Sequence, residues 1–415
     1  MKRIVSLVLA LIIILSVTGC GNGKIKDATV SYTTGENLNN QQYYLADFGN
    51  NTIAEGPDAY YVIAEDYLHY MDKNTLESGI LCGKADCKHN KETDYERAQS
   101  CEAFHFMPMS VFYYDNGIYI YELTIADLGM NNDVIRYNLQ GQFEKKIATI
   151  PTSVTNVIQH KGIMYYIYSE LDETSPDNTW GDFCLVAFDL NTGDKKIIAQ
   201  WSKDEYVNVS LPTVHNDKIY MMADKWQEGG QSIIYQIAVC DIATGKIDYI
   251  KAETADEGIS KLLFVDDKLV YNCSKFVKNE STGIMEPDKE YGKKLFTANP
   301  DGSTARQIGE VKYAFGATFA YDDILLVSNI ADDDYDETGI VKYAIYKNYK
   351  YIGEFDLSGV TWENDGEQYN GAEHIPLAIS EMGDYICFTV ARAVVAVEKA
   401  DLKQGKAEPF VVIVP

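Results

Sequence analysis

The chain of 415 residues is poor in basic side chains. It contains 36 Lys and Arg against 62 Asp and Glu, which gives a formal net charge of −26 at pH 7. Nucleic-acid-binding proteins present basic surfaces, so this balance argues against a nucleic-acid partner. It also argues against a body that lies flat on anionic lipid. An acidic surface suits a well-solvated protein with cationic partners or bound cations.

Catalytic signatures are also missing. The sequence has no G-x-S-x-G elbow, no H-E-x-x-H zinc motif and no glycine-rich phosphate loop. It has six histidines, and we interpret His69, His160 and His215, at strand ends or turns, as hydrogen-bonded polar residues rather than bases. An enzyme that assembles its site from scattered loop carboxylates leaves no linear motif, so catalysis is disfavoured but stays open.

Long apolar runs are absent except at the N-terminus. Lys2 and Arg3 precede an apolar run over residues 4–17, which leads into Val17-Thr18-Gly19-Cys20. The run suits a secretory signal and is shorter than the ~20 apolar residues of a membrane span. Its end resembles a bacterial lipobox. The resemblance implies that residues 1–19 are a signal peptide and that Cys20 carries a diacylglycerol thioether at the mature N-terminus.

The segment behind Cys20 is predicted to be a flexible tether. Residues 20–41 are polar and lack periodic apolar positions. About 20 flexible residues reach roughly 25 Å, which clears the lipid headgroups. We therefore expect an extracytoplasmic protein that touches the bacterial membrane only through acyl chains such as palmitate, with its folded body over residues 42–415.

One sequence unit recurs roughly every 40 to 60 residues along this body. Each copy has a turn rich in Asp, Asn or Gly, followed by an alternating run of Ile, Tyr and Val, which is a strand signal. Seven copies begin at Pro57-Asp58-Ala59-Tyr60, Asp115-Asn116-Gly117-Ile118, Lys161-Gly162-Ile163-Met164, Asn216-Asp217-Lys218-Ile219, Asp266-Asp267-Lys268-Leu269, Asp322-Asp323-Ile324-Leu325 and Gly383-Asp384-Tyr385-Ile386.

A second hairpin follows most copies, with a turn such as Asp189-Leu190-Asn191-Thr192-Gly193. Glycine in such a turn supplies the positive φ that a tight hairpin requires. Four strands in each of seven units predict an all-β protein, a β-propeller of about seven four-stranded blades; six or eight blades, or a pair of β-sandwiches, are the alternatives. The repeats resemble bacterial surface lipoprotein propellers with D-x-I-Y-Y-type turns, a family of largely unassigned function.

The long connections of this propeller are predicted to lie on one face. The first-to-second and third-to-fourth strand joins of each blade are short, so the other joins share the opposite face and carry the variation in length. A rigid scaffold with variable loops on one face usually binds there. These longer connections span residues 122–132, 170–182, 225–231, 275–294, 330–339 and 360–374.

Aromatic residues in these connections are the candidate ligand-binding residues. Exposed aromatic side chains suit the flat faces of glycans or the hot spots of protein interfaces. The alternative is that each one packs back on its own loop. The candidates are Trp180, Trp226, Trp362, Tyr335 and Tyr369.

A cysteine-rich insertion between the first two blades, residues 82–105, is the candidate metal site. Cys82, Cys87, His89 and Cys101 follow the spacing C-x4-C-x-H-x11-C, and three thiolates with one imidazole form a closed tetrahedral zinc set. His105 is an alternative fourth ligand. Two other interpretations stay open: a disulfide, most easily Cys87 with Cys101, which export would permit, or three free thiols. A closed zinc site would hold the loop and carry no catalysis.

The sequence thus favours a lipid-anchored binding or interaction module whose long-loop face takes a glycan, a peptide or an envelope protein. The alternative is an extracytoplasmic glycan-active hydrolase or lyase that uses loop carboxylates. A third hypothesis is a structural accessory subunit of a membrane complex. Carboxylates spaced about 5 to 9 Å apart in a central funnel would favour the enzyme, whereas an apolar, aromatic-rimmed face would favour the binding module.

Overall fold

The computed structural model describes residues 52–414 with short internal gaps. The gaps are residues 88, 90–99, 127–128, 152–153, 155–156, 172–179, 203–207, 227–232, 252–256, 279–282, 284, 315–317, 365, 372–373 and 391. The predicted signal peptide, Cys20 and the tether up to residue 41 lie outside the described residues. No helix in the described part of the chain has the length and apolarity of a membrane span.

Seven four-stranded antiparallel sheets form the blades of a β-propeller, which confirms the predicted fold. We call the strands of each blade A to D in chain order. Blade one contains β1 (Ile53–Glu55), β2 (Ala59–Ala64), β3 (Tyr67–Asp72) and β4 (Ser78–Ile80). Blade two contains β5 (Pro108–Tyr114), β6 (Gly117–Ala126), β7 (Gly129–Tyr137) and β8 (Phe143–Ile150). Blade three contains β9 (Val157–His160), β10 (Ile163–Leu171), β11 (Trp180–Asp189) and β12 (Lys195–Trp201).

The remaining blades follow the same order. Blade four contains β13 (Asn208–His215), β14 (Lys218–Trp226), β15 (Ile233–Asp241) and β16 (Ile247–Ile250). Blade five contains β17 (Gly258–Val265), β18 (Lys268–Ser274), β21 (Lys294–Ala298) and β22 (Arg306–Glu310), with the hairpin β19 (Phe276–Lys278) and β20 (Met285–Pro287) inserted. Blade six contains β23 (Thr318–Tyr321), β24 (Ile324–Ser328), β25 (Lys342–Lys347) and β26 (Lys350–Asp356). Blade seven contains β29 (Ala378–Met382), β30 (Tyr385–Val390), β31 (Ala393–Glu398) and β32 (Phe410–Ile413), preceded by the hairpin β27 (Thr361–Asn364) and β28 (Glu367–Asn370).

Helix is confined to short segments in the described residues. Helix α1 (Asp333–Thr338) joins strands B and C of blade six, and α2 (Lys399–Leu402) follows strand C of blade seven. A single 3-10 turn, Tyr291–Lys293, precedes the third strand of blade five.

The apolar core is divided among the junctions between neighbouring blades. There are seven clusters of buried apolar side chains, and each draws its members from two adjacent blades. We call these junctions seams. Central strands are therefore buried on both faces, as β24 is along its whole length, instead of alternating between core and solvent. Four cysteines, Cys184, Cys240, Cys273 and Cys387, are buried in strands of four blades and form no disulfide.

The ring closes without exchange of a strand between its ends. Blade seven supplies all four of its own strands, and it packs on blade one through side chains such as Ile53, Val62 and Val394. Two polar contacts accompany this seam: the hydroxyls of Thr52 and Thr389 lie 2.9 Å apart, and the Ser78 hydroxyl donates to the carbonyl of Val412.

Glycine turns set how closely the blades approach. The C–D turn glycines of five blades have φ between +70° and +80° and lie against the outer strand of the preceding blade; they are Gly141, Gly193, Gly245, Gly302 and Gly405. At Gly245, a Cβ would stand 2.4 Å from the carbonyl oxygen of Ile198. At Gly405, it would stand 2.3 Å from that of Ile352. The missing side chain is therefore part of the seam.

The two faces of the ring are unlike. The A–B and C–D turns lie on one face, which we call the turn face, and most of them are only a few residues long. The B–C and D–A connections lie on the other, which we call the insertion face, and carry α1, both extra hairpins and the cysteine insertion. The structure thus places the longer connections together, as the repeat predicted. Residues 122–132, however, are mostly strand, because β6 and β7 pair as far as Ala126 and Gly129.

We expect Gly245→Ala to destabilise the propeller more than Gly339→Ala. Both glycines have positive φ, but Gly339 has nothing within 4 Å of its would-be Cβ. Gly339→Ala should cost about 1–2 kcal/mol through backbone strain alone. Gly245→Ala adds the collision with Ile198 and should cost on the order of 3 kcal/mol. Urea unfolding of both variants measures the difference; equal losses would show that the seam does not depend on the close approach.

Candidate functional site

Four side chains of the cysteine insertion converge in space. The donor atoms of Cys82, Cys87, His89 and Cys101 all lie within 4.8 Å of one another. The Cys101 sulfur is 3.8 Å from the Cys82 sulfur and 3.8 Å from Nδ1 of His89. Ligands about 2.3 Å from a tetrahedral zinc ion lie roughly 3.8 Å apart. The cluster therefore has the donor set and spacing to hold a metal ion.

Backbone N–H groups point at the sulfurs of this cluster. Burial raises the pKa of the Cys82 thiol, but hydrogen bonds from the N–H groups of Lys84 and Glu102 and from Cys101 and Cys87 outweigh it, so the pKa lies below its ordinary value. Burial raises the pKa of Cys101 to about 12, although the N–H of Ala103 opposes it. Hydrogen bonds that hold a thiolate in place are a common supporting feature of metal sites.

The first seam holds the cluster in position. Cys82 directly follows blade one, and Cys101 and Ala103 are buried in the apolar cluster that blades one and two share. The backbone of the insertion is bonded to strand C of blade one, since the Leu68 N–H donates to the carbonyl of Ala103 at 2.8 Å. The Lys84 ammonium donates to the carbonyl of Ser100 and so joins the two arms of the insertion.

His105, the alternative ligand, stands apart from the cluster. Its Nδ1 lies 2.8 Å from Oε2 of Glu122, and both side chains are buried between blades one and two. Its ring also meets the edge of Tyr137, with 5.3 Å between centroids. Of the two histidines that the sequence offered as the fourth ligand, the structure therefore brings His89 to the sulfurs. The three cysteines are free thiols in the structure.

The structure places Trp362 in the core, which differs from the exposed position expected of a ligand-binding residue. It is 5% exposed and belongs to the apolar cluster of blades six and seven. Its indole stacks on Tyr369 at 5.8 Å and is flanked by His374 at 6.3 Å. The hairpin β27–β28 turns its apolar side chains onto the blades, so the indole has no open face for a ligand.

The other candidate aromatics differ in what can be said of them. Tyr369 is partly buried, with the Arg392 guanidinium 5.7 Å above its ring. Tyr335 lies on α1 and packs, partly buried, against the core of blades six and seven. Trp180 begins β11 and Trp226 ends β14, both at the insertion face. The side chains of these two tryptophans lie outside the described residues.

The insertion face carries exposed apolar side chains that sequence reasoning missed. Met107 and Leu377, each 54% exposed, stand just before strand A of blades two and seven. Ile375 lies in the same connection as Leu377, and Phe276 and Val277 lie on the hairpin β19–β20. These five are half of the ten large apolar side chains exposed in the described residues. Single apolar residues in connections have no periodicity that would reveal them.

No family model and no curated protein matches the chain. Among solved structures, one from a study of two prolyl endopeptidases is similar, with a TM-score of 0.54 and 10% identity over 89% of this chain and 51% of that one. The β-propeller domain of the Trilobed protease from Pyrococcus furiosus is similar with a TM-score of 0.47 and 14% identity, over 89% of this chain and 96% of that one. BamB from Moraxella catarrhalis has a TM-score of 0.41 and 10% identity, over 84% of each chain. At these identities the likeness shows the propeller fold alone.

We expect the purified protein to bind one zinc ion per chain at the cysteine cluster. Cys101→Ser should weaken zinc binding by more than about 100-fold, because it removes a ligand that the seam holds in place. Chelation should lower the melting temperature by roughly 5 °C, since the ion stabilises only the folded state. Zinc content and thiol count under non-reducing conditions provide the measurement.

Cys184→Ser is the matched control, because Cys184 is a buried cysteine of blade three that forms no disulfide and lies away from the cluster. It should leave the zinc content unchanged. A zinc-free protein with two fewer thiols would instead show a disulfide, and a zinc-free protein with every thiol reactive would show that the convergence of these side chains binds nothing.

Proposed function

We propose that the protein is a lipid-anchored extracytoplasmic binding module that engages a polypeptide partner through its insertion face. The two faces of the ring differ in the length of their connections, and this difference is the main support for the proposal. Two extra hairpins, α1 and the cysteine insertion all emerge on the insertion face, while most strands on the opposite face are joined by tight turns. Such variation on one face of a rigid ring is typical of a recognition surface.

The exposed apolar residues of the insertion face support a polypeptide partner. Four of the five, Met107, Val277, Ile375 and Leu377, are aliphatic or a thioether, and only Phe276 is aromatic, whereas glycan-binding sites use flat aromatic rings. Trp362, the expected stacking platform, is buried. Exposed aliphatic side chains suit the apolar contacts of a protein interface. A peptide or an envelope protein therefore suits the face better than a glycan.

A structural zinc ion in the cysteine cluster is the second part of the proposal. Cys82, Cys87, His89 and Cys101 would all be ligands, which leaves no position open for a substrate. Its task would be to fix the insertion against the first seam. Met107 follows that insertion directly, so the metal would also position part of the binding face.

The lipobox predicts how the protein reaches the membrane. Cys20→Ala removes the only thiol that the lipobox offers for acylation. The variant should therefore either disappear from the membrane fraction or remain in the membrane with its signal peptide uncleaved. Membrane fractionation with metabolic labelling by a palmitate analogue measures both. Cys273→Ala is a suitable control, because that thiol is buried in blade five. Continued labelling of the Cys20→Ala variant would contradict lipid attachment at this residue.

The binding face is tested by photo-crosslinking in living cells. A photoreactive amino acid at Met107 or Leu377 should give discrete high-mass adducts, because both side chains are exposed on the insertion face. The same amino acid at Gln140 or Ala243, exposed in C–D turns of the turn face, is the matched control and should give none. Adducts from the turn face alone would contradict the proposal, as would a complete absence of adducts.

A further inference from the structure

A cavity opens on the turn face, opposite the proposed binding face. It lies between the inner strands β13, β17 and β23 of blades four, five and six, and its volume is about 200 Å3. Its wall includes His215, Phe264 and Tyr321. Its rim carries the turn residues Asp266, Asp267 and Asp322. The site thus combines aromatic walls with an acidic mouth.

Specific contacts between aromatic rings form the wall of the cavity. The His215 ring stacks on Phe264 with 3.9 Å between centroids and 7° between planes, and Tyr220 meets the Phe264 ring edge-on at 4.8 Å. Nε2 of His215 lies 3.2 Å from Oδ1 of Asp267. Burial lowers the pKa of His215, so near neutral pH this imidazole adds little positive charge to the cavity.

In the neighbouring seam of blades three and four, a turn carboxylate accepts hydrogen bonds from an imidazole and an ammonium group. There, Asp217 accepts from Nε2 of His160 at 2.8 Å and from the ammonium of Lys161 at 2.6 Å. Lys161 occupies the first position of its A–B turn, with φ of 52°. These bonds hold the pKa of Asp217 below its ordinary value. The protein's own ammonium group therefore fills that seam.

At the cavity, an acid stands where the sister seam has its lysine. Asp266 occupies the turn position of Lys161, with φ of 46°, and its N–H donates to the carbonyl of Asp322 across the seam. Among the described residues, neither Asp266 nor Asp267 forms an ion pair with a lysine or arginine. Lys403 reaches Asp322 at 2.9 Å, and Lys268 donates instead to Asn299. Asp266 and Asp267 thus keep negative charge that no lysine or arginine compensates, beside an aromatic wall.

We propose that this cavity binds a primary ammonium group carried on an aliphatic chain. The ammonium pairs with Asp266 and Asp267 at the rim, and the chain lies along the Phe264 and His215 rings. A free diamine and the lysine side chain of a peptide share this chemistry. The site is independent of the insertion face and of the proposed zinc.

Calorimetry with 1,5-diaminopentane at low salt tests the site, with 1,5-pentanediol as the uncharged probe. The purified protein should bind the diamine at one site and should not bind the diol. Asp266→Lys should abolish diamine binding, because it installs the ammonium of the sister seam in the same backbone conformation. Asp266→Asn should weaken binding roughly threefold to fivefold, the effect of one partly exposed ion pair.

Asp115→Lys is the matched control. Asp115 holds the equivalent turn position in blade two with φ of 45°, and its substitution changes the net charge as much as Asp266→Lys does. It should bind the diamine like the unmodified protein. Equal binding by Asp266→Lys, or no binding by the unmodified protein, would overturn the proposal. N-acetyl-lysine amide separates the two sources: affinity equal to that of the diamine supports a peptide lysine, and weaker affinity supports a free diamine. Asp266→Asn answers the question if Asp266→Lys fails to fold.

Discussion

The packing of each blade against its two neighbours is the interaction on which the rest of the structure depends. No single central core exists among the described residues; the apolar side chains are divided over seven seams. Glycine turns let the backbones approach, as at Gly245 and Gly405, and side chains such as Ile53 and Val394 close the ring between its ends. Because every blade is covered on both faces, the ring leaves only its two ends free for function.

The two faces of the ring present different features. The insertion face gains chain length, exposed apolar side chains and the cysteine cluster, which is anchored on the first seam through Cys101. The turn face has mostly short turns and differs between blades in charge instead. Lys161 forms an ion pair across one seam, whereas Asp266 leaves the rim of the cavity acidic. A metal at Cys82 and Cys101 would act on the first end by fixing a connection to the scaffold. An ammonium at Asp266 would act on the second by compensating the charge of its rim.

The repeat made the architecture predictable, because a turn with Asp or Gly before an alternating strand recurs in every blade. The cysteine cluster was predictable from spacing, but the choice between His89 and His105 depends on the burial of Glu122, which no spacing reveals. The burial of Trp362 depends on whether its hairpin folds onto the blades, which the sequence does not reveal. The strand extension around Ala126 depends on cross-strand pairing, and exposed residues such as Leu377 leave no periodic signal.

On the proposed function, the insertion face is the surface through which the propeller binds its partner. Hydrogen–deuterium exchange, compared between the protein in its native membranes and the purified protein, tests it most directly. We expect added protection in the connections that contain Met107, Phe276 and Leu377, with unchanged exchange in the C–D turns around Gly141 and Gly245. Added protection confined to those turns, or no difference between the two states, would contradict it.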